Sequence, residues 1–345
     1  VLLWILLSAL LLPASARADA GGAGPECKDE LPLAQAAGEL LLRGGGPPSS
    51  DALTAAVRAA GSDVVGVHAF YWREEPASAA TAWLAQLKQS ADAPLVCGLA
   101  HGEGGHLLLA AARAGSLEPL SARSAYVRGA LATSFHDAEL VVADGHGELQ
   151  RLPVGRAQLA RGIAIDPELT RPAQVQLLAR GPAGPRPIAE RVLPMPAGSS
   201  EAASTPVSTD DEAAQPEVPL EQLLQGLRLH AGRAALRDNV LLRKVAATHA
   251  KRVCADGRVA HELTPGANPE RRLLEAGVSA RRVGETVARA QTPAAAFASF
   301  ERSLSHRLTL LEAGFTDVGI GQATDASNRT CVVILLAAWP RFTGR

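Results

Sequence analysis

At 345 residues the chain is long enough for two or three domains, each able to bury its own core. Lys+Arg 34 against Asp+Glu 35 leaves a formal net charge of -1, so no overall field draws it to nucleic acid or to an anionic membrane, and a basic-patch function is unsupported. Aromatic residues make up only 3%, which argues against a carbohydrate-stacking surface of Trp and Tyr.

Residues 1–12 (VLLWILLSALLL) are almost wholly apolar, and Ala16-Arg17-Ala18 follows as an A-x-A box before Asp19. This reads as the h-region and cleavage site of a signal peptide over residues 1–18, with export to the periplasm, cell envelope or exterior. The run is short for a membrane span, and no later apolar stretch approaches 18 residues, so no integral span is expected in the mature chain. The basic n-region is missing, which leaves an uncleaved anchor as the other reading. Cys27, Cys97, Cys254 and Cys331 fall two in each half, and an oxidising compartment then favours one disulfide per half. None forms a C-x-x-C, so a zinc cluster or thioredoxin-like site has little support. Pairing itself stays open at this level.

Residues 19–50 carry Gly21, Gly22, Gly24, the run Gly44 to Gly46, Pro47 and Pro48 around one short helical stretch at 33–42, and read as a loosely ordered leader. From Asp51 to about residue 120 the pattern predicts a small α+β unit: helices at 52–60 and 77–90, strands at 64–71, 94–100 and 106–112. His101-Gly102-Glu103-Gly104-Gly105-His106, between the last two strands, is most simply a hairpin turn. Over 121–195 the helical period gives way to short β-like runs separated by turn signals such as Asp144-Gly145 and Gly181-Pro182, the pattern of a β-sandwich-like domain. Residues 196–219, rich in Pro, Ser, Thr and acid, read as a disordered linker.

Beyond the linker, amphipathic helices are expected at 220–229 and 239–253. Ala260-His261 follows, then a short helix carrying Arg271, Leu273 and Leu274, and the segment Gly284-Glu285-Thr286-Val287-Ala288. A helix at 294–303 leads to Ser305-His306-Arg307, and Phe315 to Gly321 precedes a closing apolar strand at 331–338. This ordered series resembles bacterial members of the CAP (SCP-like) superfamily, whose pattern runs through a helix ending near a His, R-x-x-x-x-G, G-E-N-[IV]-A, W-x-x-S-x-x-H-R and F-x-x-[IV]-G-[IV]-G. The matching positions are His261, Arg272 to Gly277, Gly284 to Ala288, Ser303 to Arg307 and Phe315 to Gly321, and the resemblance covers about a third of the chain, residues 220–343. It implies an α-β-α sandwich, so the whole chain reads as α+β: a CAP-like sandwich preceded by the small α+β unit and the β-sandwich-like domain. It also implies that the helix ending at Cys254 packs on the strand beginning at Cys331, which favours the pairs Cys254–Cys331 and Cys27–Cys97.

The resemblance carries over His261, Glu285 and His306 as the cleft residues. Two imidazoles and a carboxylate are donors for zinc or another divalent metal, and equally an acid-base set, so the three are candidates for both metal binding and catalysis. A buried polar network that only fixes the cleft is the plain alternative. Thr286 stands where the family has Asn and Phe300 where it has Trp, neither expected to touch the two His. His249 and His230 read as helix-surface residues, and Gly319-x-Gly321 precedes a strand, so it is no nucleotide loop. No G-x-S-x-G is present, and no Ser or Cys nucleophile matches the cleft, which leaves only metal-assisted or water-based chemistry to an enzyme reading. Three functions follow: a binding or interaction module for a metal or small apolar ligand, with a lipid or peptide of the envelope or exterior as its partner; a hydrolase or peptidase using the same cleft; or a structural envelope protein with a vestigial cleft.

Overall fold

The computed structural model describes residues 26–44, 46–74, 77–182, 184–195, 218–264 and 266–339, so the expected signal segment and nearly all of the expected linker lie outside the described residues. The chain divides into two compact units, with the boundary between Arg113 and Ala114.

In the first unit, strands β1 (Lys28–Asp29), β2 (His68–Trp72), β3 (Leu95–Gly102) and β4 (Gly105–Ala112) form one sheet in the order β1-β3-β4-β2. Helices α1 (Leu31–Arg43), α2 (Ser50–Ala59) and α3 (Ala77–Ser90) cover it. Strand β4 alternates faces: Leu107, Leu109 and Ala111 pack with Leu33, Ala36, Ala37 and Leu40 of α1, whereas Leu108 and Ala110 pack with Ala80 and Leu84 of α3. The expectation of a loose leader therefore fails over α1, whose Leu33, Ala36, Ala37 and Leu40 recur at helical spacing and form one wall of a core. Cys27 pairs with Cys97, tying the start of β1 to its parallel neighbour β3. The His101 to His106 segment is a hairpin, with His101 opposite His106.

The second unit opens with a β-rich segment: β5 (Gly115–Leu117), β6 (Tyr126–Val127), β7 (Gly129–Leu131), β8 (His136–Ala143), β9 (Leu149–Pro153), helix α4 (Arg156–Arg161), β10 (Ile163–Ala164), β11 (Ala173–Gly181) and β12 (Gly184–Leu193). In place of the two packed sheets of a sandwich it builds one antiparallel sheet, ordered β12-β11-β8-β9, and the two-stranded pairs β10-β6 and β5-β7. The reason lies in what covers the sheet. Leu140 and Val142 of β8 line an apolar cavity with Val127 and Ile163, while the alternate residues Val141 and Ala143 pack on Leu304 of the C-terminal part. One face thus takes its partner from beyond the linker.

That C-terminal part has α5 (Leu220–His230), β13 (Arg237–Asp238), α6 (Val240–Asp256), α7 (Pro269–Glu275), β14 (Arg282–Ala290), α8 (Pro293–Arg302), α9 (Leu304–Leu311), β15 (Asp317–Thr324) and β16 (Thr330–Ala338). Its sheet runs β13-β15-β16-β14, and the central strand β16 is apolar on both faces. Val332, Ile334 and Leu336 pack with Leu220, Leu224, Phe297, Phe300 and Leu310, whereas Val333, Leu335 and Ala337 pack with Leu242, Val245, Ala246, Ala250 and Leu273. Helices on both faces of a continuously apolar strand make the expected α-β-α sandwich.

Local sequence sets the helix starts. Asn239 accepts from the Leu241 and Leu242 amides, Asn268 from Arg271, and Thr292 from Ala295 ahead of Pro293. Buried Arg228 anchors α5 by donating to the carbonyls of Ala234, Leu310 and Glu312. A Cβ on Gly319 would stand 2.0 Å from the Arg243 amide nitrogen, and one on Gly321 would stand 2.2 Å from the Ala246 carbonyl carbon. The two glycines of the F-x-x-[IV]-G-[IV]-G fragment are therefore what lets α6 lie backbone to backbone on β15. Cys254 at the end of α6 joins Cys331 at the start of β16.

Candidate functional site

Glu285 sits on edge strand β14, opposite Leu335 of β16, with its side chain only 1% exposed. A carboxylate so deep must be paired, and two partners meet it. The His261 ring donates from Nδ1 to Glu285 Oε1 at 2.9 Å, and the Arg272 guanidinium donates to Oε2. Because an ionised carboxylate only accepts, the Glu285 bond fixes the His261 proton on Nδ1. Burial works against the Glu285 charge, yet the hydrogen bond and charge of His261, with the charges of Arg272 and His249, hold its pKa below the ordinary carboxylate range.

Arg272 also ties the loop that carries His261: its Nη1 donates to the His261 carbonyl at 2.7 Å and to the Ala267 carbonyl at 2.6 Å. The Arg of the R-x-x-x-x-G fragment is thus both the counter-charge of Glu285 and the clamp on the His261 backbone. Its role was legible only as a motif letter, since an Arg in a short helix carries no sign of its partner.

His249 is a correction. It is 2% exposed, not a helix-surface residue; its Nε2 donates to the Ala260 carbonyl at 3.0 Å and lies 3.9 Å from Glu285 Oε1. Desolvation lowers its pKa, against the pull of Glu285. The signal was in the spacing, because 242, 245, 246, 249, 250 and 253 form one stripe and position 249 lies on it. His230, by contrast, is exposed as expected.

His306, on α9, lines the same cavity of about 470 Å³ as His261 and Glu285. Its Nδ1 is buried without a hydrogen-bond partner among the described residues. The Phe300 ring meets it edge-on, centroids 5.1 Å apart, so the expectation that Phe300 stands clear of both His is overturned. Burial, then the charge of His261, pushes the His306 pKa down to about 3. Thr286 is fully buried, and its Oγ1 is likewise unpartnered among the described residues.

The opposite wall of the cavity comes from the β-rich segment: Glu139, Arg151, Leu178, Arg180, Arg186 and Pro187. Nothing in the sequence pattern pointed there. The set does not fit a divalent ion as arranged. Arg272 and His261 take the two Glu285 oxygens, and among the described residues no group of three or more His, Cys, Asp or Glu is placed to hold a metal. The expectation of zinc finds no site in this geometry, because a fixed guanidinium already supplies the positive charge beside Glu285. What remains is an oriented His-Glu pair, a neutral second imidazole and a mixed-charge wall.

The depressed His306 pKa has a thermodynamic consequence. Below pH 6.5 the unfolded chain protonates this ring while the folded one stays neutral down to about pH 3, so stability present above pH 6.5 is lost as the pH falls through that window. Between pH 7 and pH 5 the loss should reach about 2 kcal/mol from this group. Urea unfolding at the two pH values should show it, and His306→Gln should lose correspondingly less; an equal loss in both proteins would refute the assignment.

The family model described as the cysteine-rich secretory protein family (CAP) matches residues 222–336. The structure of an outer surface protein from Borrelia burgdorferi is similar at 21% identity over 35% of this chain and 90% of that one, with a TM-score of 0.33. An extracellular SCP-domain protein from Bacillus anthracis has 20% identity over 34% of this chain and 38% of that one, with a TM-score of 0.31. A cysteine-rich secretory protein from Staphylococcus aureus has 11% identity over 79% of this chain and 85% of that one, with a TM-score of 0.29. No curated protein matches the chain at a significant level. Among the described residues no helix is long and apolar enough to cross a membrane. With the motif order, the three-layer sandwich and the family match in agreement, residues 222–336 are a CAP domain of the cysteine-rich secretory protein family.

Proposed function

We propose that the chain is an exported binding and interaction protein whose CAP cleft takes a short peptide segment. One observation carries this reading: the cavity that gathers His261, Glu285 and His306 is walled by side chains of both signs, Glu139, Arg151, Arg180, Arg186, Glu270 and Arg282 among them. A ligand with a polar backbone and charges of both signs matches such a wall better than a purely apolar one. Glu285 and Arg272 neutralise each other in the floor and leave His261 as the oriented polar group.

The His261–Glu285 hydrogen bond also favours a second reading, a water-based hydrolase in which Glu285 orients His261 as a base. One experiment separates them. Mixed-charge synthetic peptides titrated into the protein, with mass analysis of the mixture, should bind without being cut, and His261→Ala should weaken binding at least about tenfold with the fold unchanged. Cleavage lost in His261→Ala would establish the hydrolase. Equal binding by protein and variant would remove the cleft from either function, and one bound zinc per purified chain would replace both readings with a metal centre.

A further inference from the structure

Strands β3 and β4 of the first unit turn through Gly102-Glu103-Gly104-Gly105, and the residues that flank the turn, His101 and His106, stand directly opposite each other. Side chains so paired lie on one face of the sheet and come close. Here one Nδ1 donates to the other at 2.6 Å, with the rings edge-on at 78° and their centroids 4.8 Å apart. Among the described residues neither ring has another hydrogen-bond partner. The indole of Trp72, opposite His106 on β2, stacks on the His106 ring at 5.1 Å and fixes its position. The turn itself is pinned by Tyr71 and Arg73, which both donate to the Gly104 carbonyl. Burial, then the charge of His101, lowers the His106 pKa, so that ring is neutral at pH 7, the form in which imidazole binds metal.

We infer that His101 and His106 form a two-imidazole site for a late divalent transition-metal ion, bound through both Nδ1 atoms at the end of the β3–β4 hairpin. An ion bonded to both nitrogens at about 2.0–2.1 Å, with about 90–110° between the bonds, holds them about 2.9–3.4 Å apart. From 2.6 Å the rings reach that span by parting less than about 1 Å, mainly through χ2, a broad torsion for imidazole. The proton between the two Nδ1 atoms leaves to solvent and Nε2 of the same ring takes one up, so both ligands are neutral and no net proton is released. Access is open, because Glu103 is the one side chain beyond Cα in the four-residue turn, and water completes the coordination shell. Imidazole suits copper, zinc and nickel, and Cu(II) heads the affinity order of the divalent ions. The site lies within the first unit and does not rest on the peptide reading of the CAP cleft.

Cu(II) titrated into the full chain, after dialysis against EDTA and with glycine present as a weak competitor for surface imidazoles, tests the site by calorimetry and tryptophan fluorescence. One ion should bind per chain and quench the emission of Trp72, with EDTA restoring it. His101→Ala and His106→Ala should each weaken binding at least about tenfold, the lower end of what losing even an outer-shell group costs a metal site. His261→Ala should leave the binding as it is. Trp72→Phe should keep the stoichiometry and reduce the quench, which locates the ion without touching a ligand. Absence of saturable Cu(II) binding would overturn the site and leave a hydrogen-bonded His pair. Affinity unchanged in both pair variants, binding lost in His261→Ala, or an equal quench in Trp72→Phe would each overturn it by placing the ion elsewhere.

Discussion

Replacing Glu285 by Ala should cost about 3–5 kcal/mol of folding stability, the range found when one member of a buried ion pair is removed. The cost comes from what is left behind. Arg272, 6% exposed, loses its carboxylate and keeps only the carbonyls of His261 and Ala267 as acceptors, and the His261 Nδ1–H loses its acceptor. Replacing both members, Glu285→Leu with Arg272→Met, should recover most of that loss, because two apolar side chains of similar volume do not need each other's charge. Equilibrium unfolding of the two singles and the double closes the cycle. A Glu285→Ala loss under about 1 kcal/mol would mean that the carboxylate is solvated in solution and that the described pairing does not hold.

Removing the Cys254–Cys331 link, as the double Ala variant, should destabilise the CAP domain by about 4 kcal/mol in the chain-entropy account. The link closes a loop with a sequence separation of 77 residues, long enough for the unfolded chain to gain substantial freedom without it. Cys331 is fully buried beside Val253 and Val333, so the Ala variant also loses packing, and the two effects act in the same direction. Guanidinium unfolding with and without reductant should move the native protein toward the variant, while the variant itself stays put. A native midpoint indifferent to reductant would show that the reduced chain is as stable as the oxidised one.

Much of the C-terminal fold was legible because its signals are local. The amphipathic period at 239–253, the apolar run at 331–338 and the ordered motifs each sit within a few residues of what they specify. His261, Glu285 and His306 were legible through the same motifs. Partnerships across elements were not. Arg272 belongs with Glu285 only because α7 folds onto β14, and Phe300 meets His306 only because α8 turns into α9. His249 was misread because a polar residue on an apolar stripe looks like an interruption until the Ala260 carbonyl is found opposite it. The helical stretch at 33–42 was legible, but the glycines and prolines around it made it read as part of a loose leader, although its Leu33, Ala37 and Leu40 spacing is that of a core helix. The β-rich segment read as a β-sandwich-like domain of its own because an apolar strand face does not announce whether a second sheet or a helix will cover it.

The bare glycine seam between α6 and β15 gives the site a property of its own. With no side chains at Gly319 and Gly321 to act as spacers, the gap between helix and strand is set by main-chain atoms alone. His249 rides on that helix, and Glu285 is carried two strands away across a hydrogen-bonded ladder, so the distance between them is a chain of backbone dimensions from end to end. Drift in the sizes of the surrounding core residues can alter how firmly the domain holds together without re-gauging the polar cluster, which makes the pocket floor a fixed datum against which its rim is free to diversify.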